Sequence, residues 1–177
     1  MPRPSASRSP MPRWTKVVVL PRAPTPHGRG GSWFPVAVPV KQTPPDKLKR
    51  DVSAATQRLC EFVDSRHYKR KPVITGFSQG GILSFAMAVT CPEKIYAAVP
   101  VSGFLPLKIP KGKHLPKVVA FHGTEDKIVD FRKDEDTIQK LYAAGVDVRL
   151  YQFPNLDHFV SQELHTRWFE MLSDLSK

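Results

Sequence analysis

Val73-Ile74-Thr75-Gly76-Phe77-Ser78-Gln79-Gly80-Gly81 decides how this 177-residue chain is read. A short apolar strand over 72–75 runs into Gly76-Phe77-Ser78-Gln79-Gly80, a G-x-S-x-G pentapeptide, and a small-residue helix over 80–90 leaves it. Strand, sharp turn and helix form the setting in which such a pentapeptide lifts a serine hydroxyl clear of a sheet. Glycines two residues to either side let strand and helix approach without side-chain clash. The turn puts the serine in a strained backbone and sets it at a helix amino end, whose free N–H groups and dipole favour developing negative charge. Ser78 is therefore expected to be a nucleophile.

A serine hydroxyl attacks poorly without a base, so a histidine and an orienting carboxylate are expected further along. In this setting their order is serine, acid, histidine, each on a loop after a strand. An apolar strand over 117–121 runs into His122-Gly123-Thr124-Glu125-Asp126, and another over 146–153 runs into Pro154-Asn155-Leu156-Asp157-His158. Both segments lie beyond strand ends on one edge of a parallel sheet, where sites of such folds form. Glu125, Asp126 and Asp130 compete for the acid, and His122 competes with His158 for the base. His122, at a strand end before a turn, reads as a hydrogen-bonded structural histidine. Asp157 cannot readily orient its neighbour His158, because adjacent side chains diverge. His67, His114 and His165 have no strand-end context and read as surface residues.

Working outward, 11 of the 18 prolines fall in residues 1–45, so regular structure there must be short. Lys16-Val17-Val18-Val19-Leu20 is the one strand candidate, stopped by Pro21. Residues 21–45 read as loop, with HGRGGSWF in its middle. Asp46 is a plausible N-cap for a helix over 46–66, on which Leu48, Val52, Ala55, Leu59, Phe62 and Val63 form one apolar face. A strand over 95–101 precedes a Pro-, Gly- and Lys-rich loop, 103–116. A helix over 131–144 places Phe131, Ile138, Leu141 and Tyr142 on one side and stops at Gly145. The last helix is capped by Ser161 and carries Leu164, Trp168, Met171, Leu172 and Leu175 at helical spacing. The alternation predicts an α/β fold: a mainly parallel sheet with helices on both faces. Residues 1–15 read as a flexible, basic Pro/Arg/Ser-rich tail and 16–177 as one domain. Four early prolines (Pro2, Pro4, Pro10 and Pro12) oppose a targeting helix in that tail.

Charge is uneven. The formal net charge is +11; residues 1–71 hold 15 Lys/Arg against 4 Asp/Glu, whereas residues 72–177 hold 12 of each. The basic residues are scattered among prolines and along the polar side of one helix, with no aromatic-interleaved basic motif, so no nucleic-acid partner is expected. No apolar run is long enough for a membrane span. Cys60, on an apolar stripe, and Cys91, at a helix end, read as buried, reduced thiols, which points to a cytoplasmic protein. No residue spacing suggests a metal site, and no cofactor is expected.

The segments VITGFSQGG, AFHGTEDKIV and FPNLDHF, in this order, resemble the phospholipase/carboxylesterase family of α/β-hydrolases, which includes the acyl-protein thioesterases. VVVLPRAP and GGSWFP resemble that family's strand, proline turn and Trp-Phe loop. The resemblance implies an α/β-hydrolase fold, with Ser78 the nucleophile, Asp126 the orienting acid, His158 the base, and the backbone N–H of Gln79 one oxyanion donor. Lys127 stands where the family often has proline. The family's earlier strands and its His-Gly-x-Gly loop, which lends a second oxyanion N–H, have no match before Lys16. Either residues 16–20 move into the vacant central position and HGRGG stands in for that loop, or HGRGG is only a flexible loop before Trp33; the register of the SWF segment favours the second. The apolar residues of loop 103–116 either help bind an acyl chain or simply pack on the sheet.

The implied function is hydrolysis of a small-molecule carboxylic ester or acyl thioester through an acyl-enzyme. Its alternative is a weakly active or non-catalytic hydrolase-like binding module.

Overall fold

The apolar faces of the sheet and of the main helices meet in two cores. In a computed structural model that describes residues 17–28 and 30–177, two short strands, β1 (Thr25–His27) and β2 (Gly30–Ser32), form an antiparallel hairpin. Then come α1 (Pro45–Ser65), β3 (Val73–Phe77), α2 (Gln79–Thr90), β4 (Ala97–Val101), β5 (Lys117–Gly123), α3 (Phe131–Ala143), β6 (Val148–Phe153) and α4 (Gln162–Leu175). The four strands β3 to β6 pair in sequence order, all parallel, with Phe77 opposite Val101, Val101 opposite Phe121, and Phe121 opposite Tyr151. The strand ends that carry the predicted site residues are thereby aligned along one edge.

Successive side chains of a strand point to opposite faces. Ala98, Val118 and Ala120 face a large apolar core with Val52 and Leu59 of α1, Phe85 of α2 and Leu141 of α3. Val99, Val101, Val119 and Phe121 face a second core with Leu164, Trp168 and Met171 of α4. The expected two-sided covering is thus present.

Four local expectations are corrected. Residues 17–20 form no strand: they are unpaired, with Val17 and Leu20 87% and 88% exposed, and Lys16 lies outside the described residues, as does the predicted tail. A β-branched run becomes a strand only where another strand's N–H and C=O groups meet it, and none does here. The N-cap of α1 is Pro44, not Asp46; Pro45, whose fixed φ suits the first helical position, moves the start back one residue. Tyr142 is exposed, because the buried stripe of α3 runs through Asp134, Thr137 and Leu141. Finally, Cys60 and Cys91 are buried as expected but joined in a disulfide. The stripe of α1 lays Cys60 against the carboxyl end of α2, with the two Cα atoms 6.2 Å apart. The ground for a cytoplasmic reading, two reduced thiols, is thereby removed. Among the described residues, no helix is long and apolar enough to cross a membrane.

Candidate active site

The pentapeptide folds as its glycines require. A Cβ on Gly76 would sit 2.7 Å from Gly80 Cα, an approach no side chain allows. Ser78, between them, has φ 57° and ψ −112°, a strained conformation for a residue bearing a Cβ. Its amide donates to Val101 O at 3.0 Å, so the strand beside it holds the turn in place. Ser78 is the N-cap of α2, and Gln79, the first helical residue, presents an amide with no acceptor within its own helix.

The loops after β5 and β6 bring the predicted partners to this turn. The Ser78 hydroxyl lies 3.0 Å from His158 Nε2, and His158 Nδ1 lies 2.7 Å from Asp126 Oδ2. The other carboxylate oxygen of Asp126 accepts the amides of Ile128 and Val129 at 3.0 and 2.9 Å. Burial alone would raise the Asp126 carboxyl, but hydrogen bonds from His122, His158 and the Val129 amide hold it well below the usual carboxylate range. The ring of Phe77 lies beside that of His158, with centroids 4.6 Å apart and planes tilted by 32°. Such a series can pass a proton from hydroxyl to imidazole while the carboxylate steadies the resulting cation.

The competing residues are set elsewhere. Glu125 is exposed, and the side chain of Asp130 caps α3 by accepting the Arg132 amide. Asp157 is exposed. His122 is fully buried and does not reach Ser78; it stands behind Asp126, between that residue and Asp134.

Sequence reasoning missed three features. The Gln79 side chain clamps the Trp-Phe loop: its Oε1 accepts the Trp33 amide at 3.0 Å, and its Nε2 donates to Phe34 O at 3.1 Å. Asp134 is buried beneath the site, which its spacing of three and seven from Thr137 and Leu141 could have revealed. Phe77 offered no signal beyond lying next to Ser78. His27 pairs with Gly30 and Pro26 with Gly31 in the β1–β2 hairpin; among the described residues a Cβ on Gly28 would meet nothing within 4 Å, and one on Gly30 would meet the carbonyl of His27. In loop 103–116, Leu105, Leu107 and Ile109 pack against the core. Among the described residues, no group of three or more His, Cys, Asp or Glu is arranged to hold a metal ion.

The fold is that of the α/β-hydrolases. The profile of the phospholipase/carboxylesterase family matches residues 12–173, and the chain belongs to that family. It is 34% identical over 93 residues to acyl-protein thioesterase 1 homolog 2 of Dictyostelium discoideum, covering 49% of this chain and 41% of that protein. It is 28% identical over 96 residues to carboxylesterase SOBER1 of Arabidopsis thaliana, covering 51% and 42%. The chain thus spans less than half the length of these curated relatives. The crystal structure of Arabidopsis thaliana SOBER1 superposes with a TM-score of 0.75 over 90% of this chain and 83% of that one, at 24% identity. That of esterase PE8 gives 0.74 over 88% and 76%, at 23% identity.

Proposed function

We propose that this chain is a serine hydrolase that cleaves carboxylic esters or acyl thioesters through Ser78, His158 and Asp126. The observation that carries the reading is the unbroken series from Ser78 Oγ through His158 to Asp126, with links of 3.0 and 2.7 Å. Neutral His158 donates from Nδ1 to Asp126 and accepts the Ser78 proton at Nε2. Ser78 Oγ attacks the acyl carbon, and the developing oxyanion faces the Gln79 amide. His158 then returns the proton to the departing alcohol or thiol, leaving an acyl-Ser78 ester that water hydrolyses by the same route reversed. The names of the relatives, acyl-protein thioesterase and carboxylesterase, support an acyl substrate of one of these two kinds.

The test is turnover of p-nitrophenyl acetate and butyrate, and of the matching thioesters, by the parent and by His158→Ala. Turnover lost in His158→Ala supports the reading. Equal turnover in both proteins, or none in a folded parent, overturns it.

A further inference from the structure

Behind the acid lies a second histidine–carboxylate pair to which the mechanism above assigns nothing. His122 and Asp134 have fully buried side chains. His122 Nδ1 is 2.7 Å from Asp134 Oδ2, while Nε2 is 3.0 Å from Val129 O and 3.3 Å from Asp126 Oδ2. That last atom is the oxygen that bonds His158. Every polar atom facing either ring nitrogen is therefore an oxygen acceptor, two of them carboxylate. A neutral imidazole could donate to only one side and would turn a lone pair on the other, whereas an imidazolium donates to both. The rest of the enclosure agrees. Phe131 meets the ring edge-on at 5.6 Å, and Asp134 lies in the first turn of α3, where the helix dipole favours an anion. The remaining oxygen of Asp134, Oδ1, accepts no hydrogen bond among the described residues, so the anion's compensation comes chiefly from His122.

We propose that His122, held as an imidazolium by Asp134, is a positioning residue: it shares Asp126 Oδ2 with His158 and thereby sets how strongly the acid draws a proton onto His158. This rests on the reading of Asp126 and His158 given above. The charged groups around His122 are Asp126 from the loop after β5 and Asp134 from α3. Glu135 acts on Asp134 through space, and His158 lies across the shared carboxylate. Burial works against the His122 charge, but the bonds to Asp126 and Asp134 outweigh it and raise the imidazole to about 9. Burial raises the Asp134 carboxyl to about 6 against the opposing pull of His122. The two are thus both charged between these values. A cation beside Oδ2 lowers the basicity of Asp126 and so weakens its pull on the proton at His158 Nδ1. The counter-charge of Asp134 is farther from His158, so the near positive end of the pair dominates.

The test compares the parent with Asp134→Asn and with the double variant His122→Gln/Asp134→Asn, which removes both buried charges together. The pH dependence of ester turnover is read alongside the imidazole NMR titration of His158, which needs no turnover. Both variants are expected to move the acid limb, and the His158 titration with it, upward by about one pH unit, a roughly tenfold loss of activity on that limb. If Asp134→Asn does not fold, the double variant carries the comparison. An unmoved His158 titration, with only the melting temperature lowered, would overturn the proposal and leave the pair a packing element. A moved titration in a protein that turns over no acyl substrate would uphold the coupling and instead overturn the hydrolase reading.

Discussion

Asp126 Oδ2 and His158 Nδ1, 32 residues apart in the chain, lie 2.7 Å from one another, while the opposite oxygen of Asp126 is locked by the Ile128 and Val129 amides. Replacing the carboxylate by an amide keeps an oxygen for those two amides and turns an NH2 group toward His158. The imidazole must then accept at Nδ1 and carry its proton on the wrong nitrogen. Asp126→Asn should lower kcat by about 10⁴, as loss of the orienting carboxylate does in such triads. Glu125→Gln and Asp157→Asn should each stay close to the parent rate. Steady-state ester kinetics check this, and an equal loss in Glu125→Gln would transfer the acid's role to Glu125.

The Gln79 side chain and its backbone do different work. Gln79→Ala removes the acceptor of the Trp33 amide and the donor to Phe34 O, but keeps the main-chain amide beside Ser78. Stability should fall by about 1–3 kcal/mol, the cost of leaving such groups without partners. Reaction with a serine-directed probe should persist. Urea unfolding and probe labelling read the two effects separately.

The hairpin tip should be dispensable for catalysis. Gly30 has open space beside it save the His27 carbonyl at 3.9 Å, so Gly30→Ala should leave kcat within about twofold, whereas loss of an oxyanion donor costs about 10²–10³. With the Gln79 amide as the donor at hand, the parent itself should be a slow esterase. A drop of the larger size in Gly30→Ala would make HGRGG the second arm of the oxyanion site.

Stability should depend on pH through His122. Its folded value, about 9, exceeds the ordinary 6.5, so its proton stabilises the fold in full below about 6.5 and that contribution is lost as pH rises through 9. Melting temperature should therefore fall from neutral to alkaline pH more steeply in the parent than in His122→Gln/Asp134→Asn. Parallel curves would show that no proton is held there.

The Cys60–Cys91 bridge closes a loop over a sequence separation of 31 residues. Constraining the unfolded chain in this way stabilises the fold by about 3–4 kcal/mol. Reduction, or Cys60→Ser, should lower the urea midpoint accordingly, and thiol titration of the denatured protein should find two thiols only after reduction. Two thiols without reductant would contradict the bridge.

The four main helices and four main strands were legible in the sequence, α1, α3 and α4 from their helical period and the strands and α2 from apolar or small-residue runs bounded by Gly and Pro. Leu48, Val52, Ala55 and Leu59 repeat helically on α1, and β3 runs straight into the glycine-bracketed Ser78. The segments brought to Ser78 were also legible, because loops after parallel strands must share one edge, but the choice of Asp126 over Glu125 and Asp130 came from the family resemblance and not from that topology. What local pattern could not give was partnership. Val17 to Leu20 has strand composition but no strand to pair with. Cys60 and Cys91 each looked like a buried thiol until the packing of α1 on α2 joined them. Asp134 went unread because nothing in a helix carboxylate itself marks it as buried; only the fold sets His122 opposite it.

The central claim is that Ser78 is an activated nucleophile, and labelling with a fluorophosphonate probe tests it most directly, since the probe reports serine activation without knowledge of the substrate. The parent should be labelled at Ser78 alone, His158→Ala should be silent, and Ser78→Ala should carry no label and hydrolyse no short-chain ester. Labelling that persists in Ser78→Ala, or a folded parent that takes no label, would contradict the account.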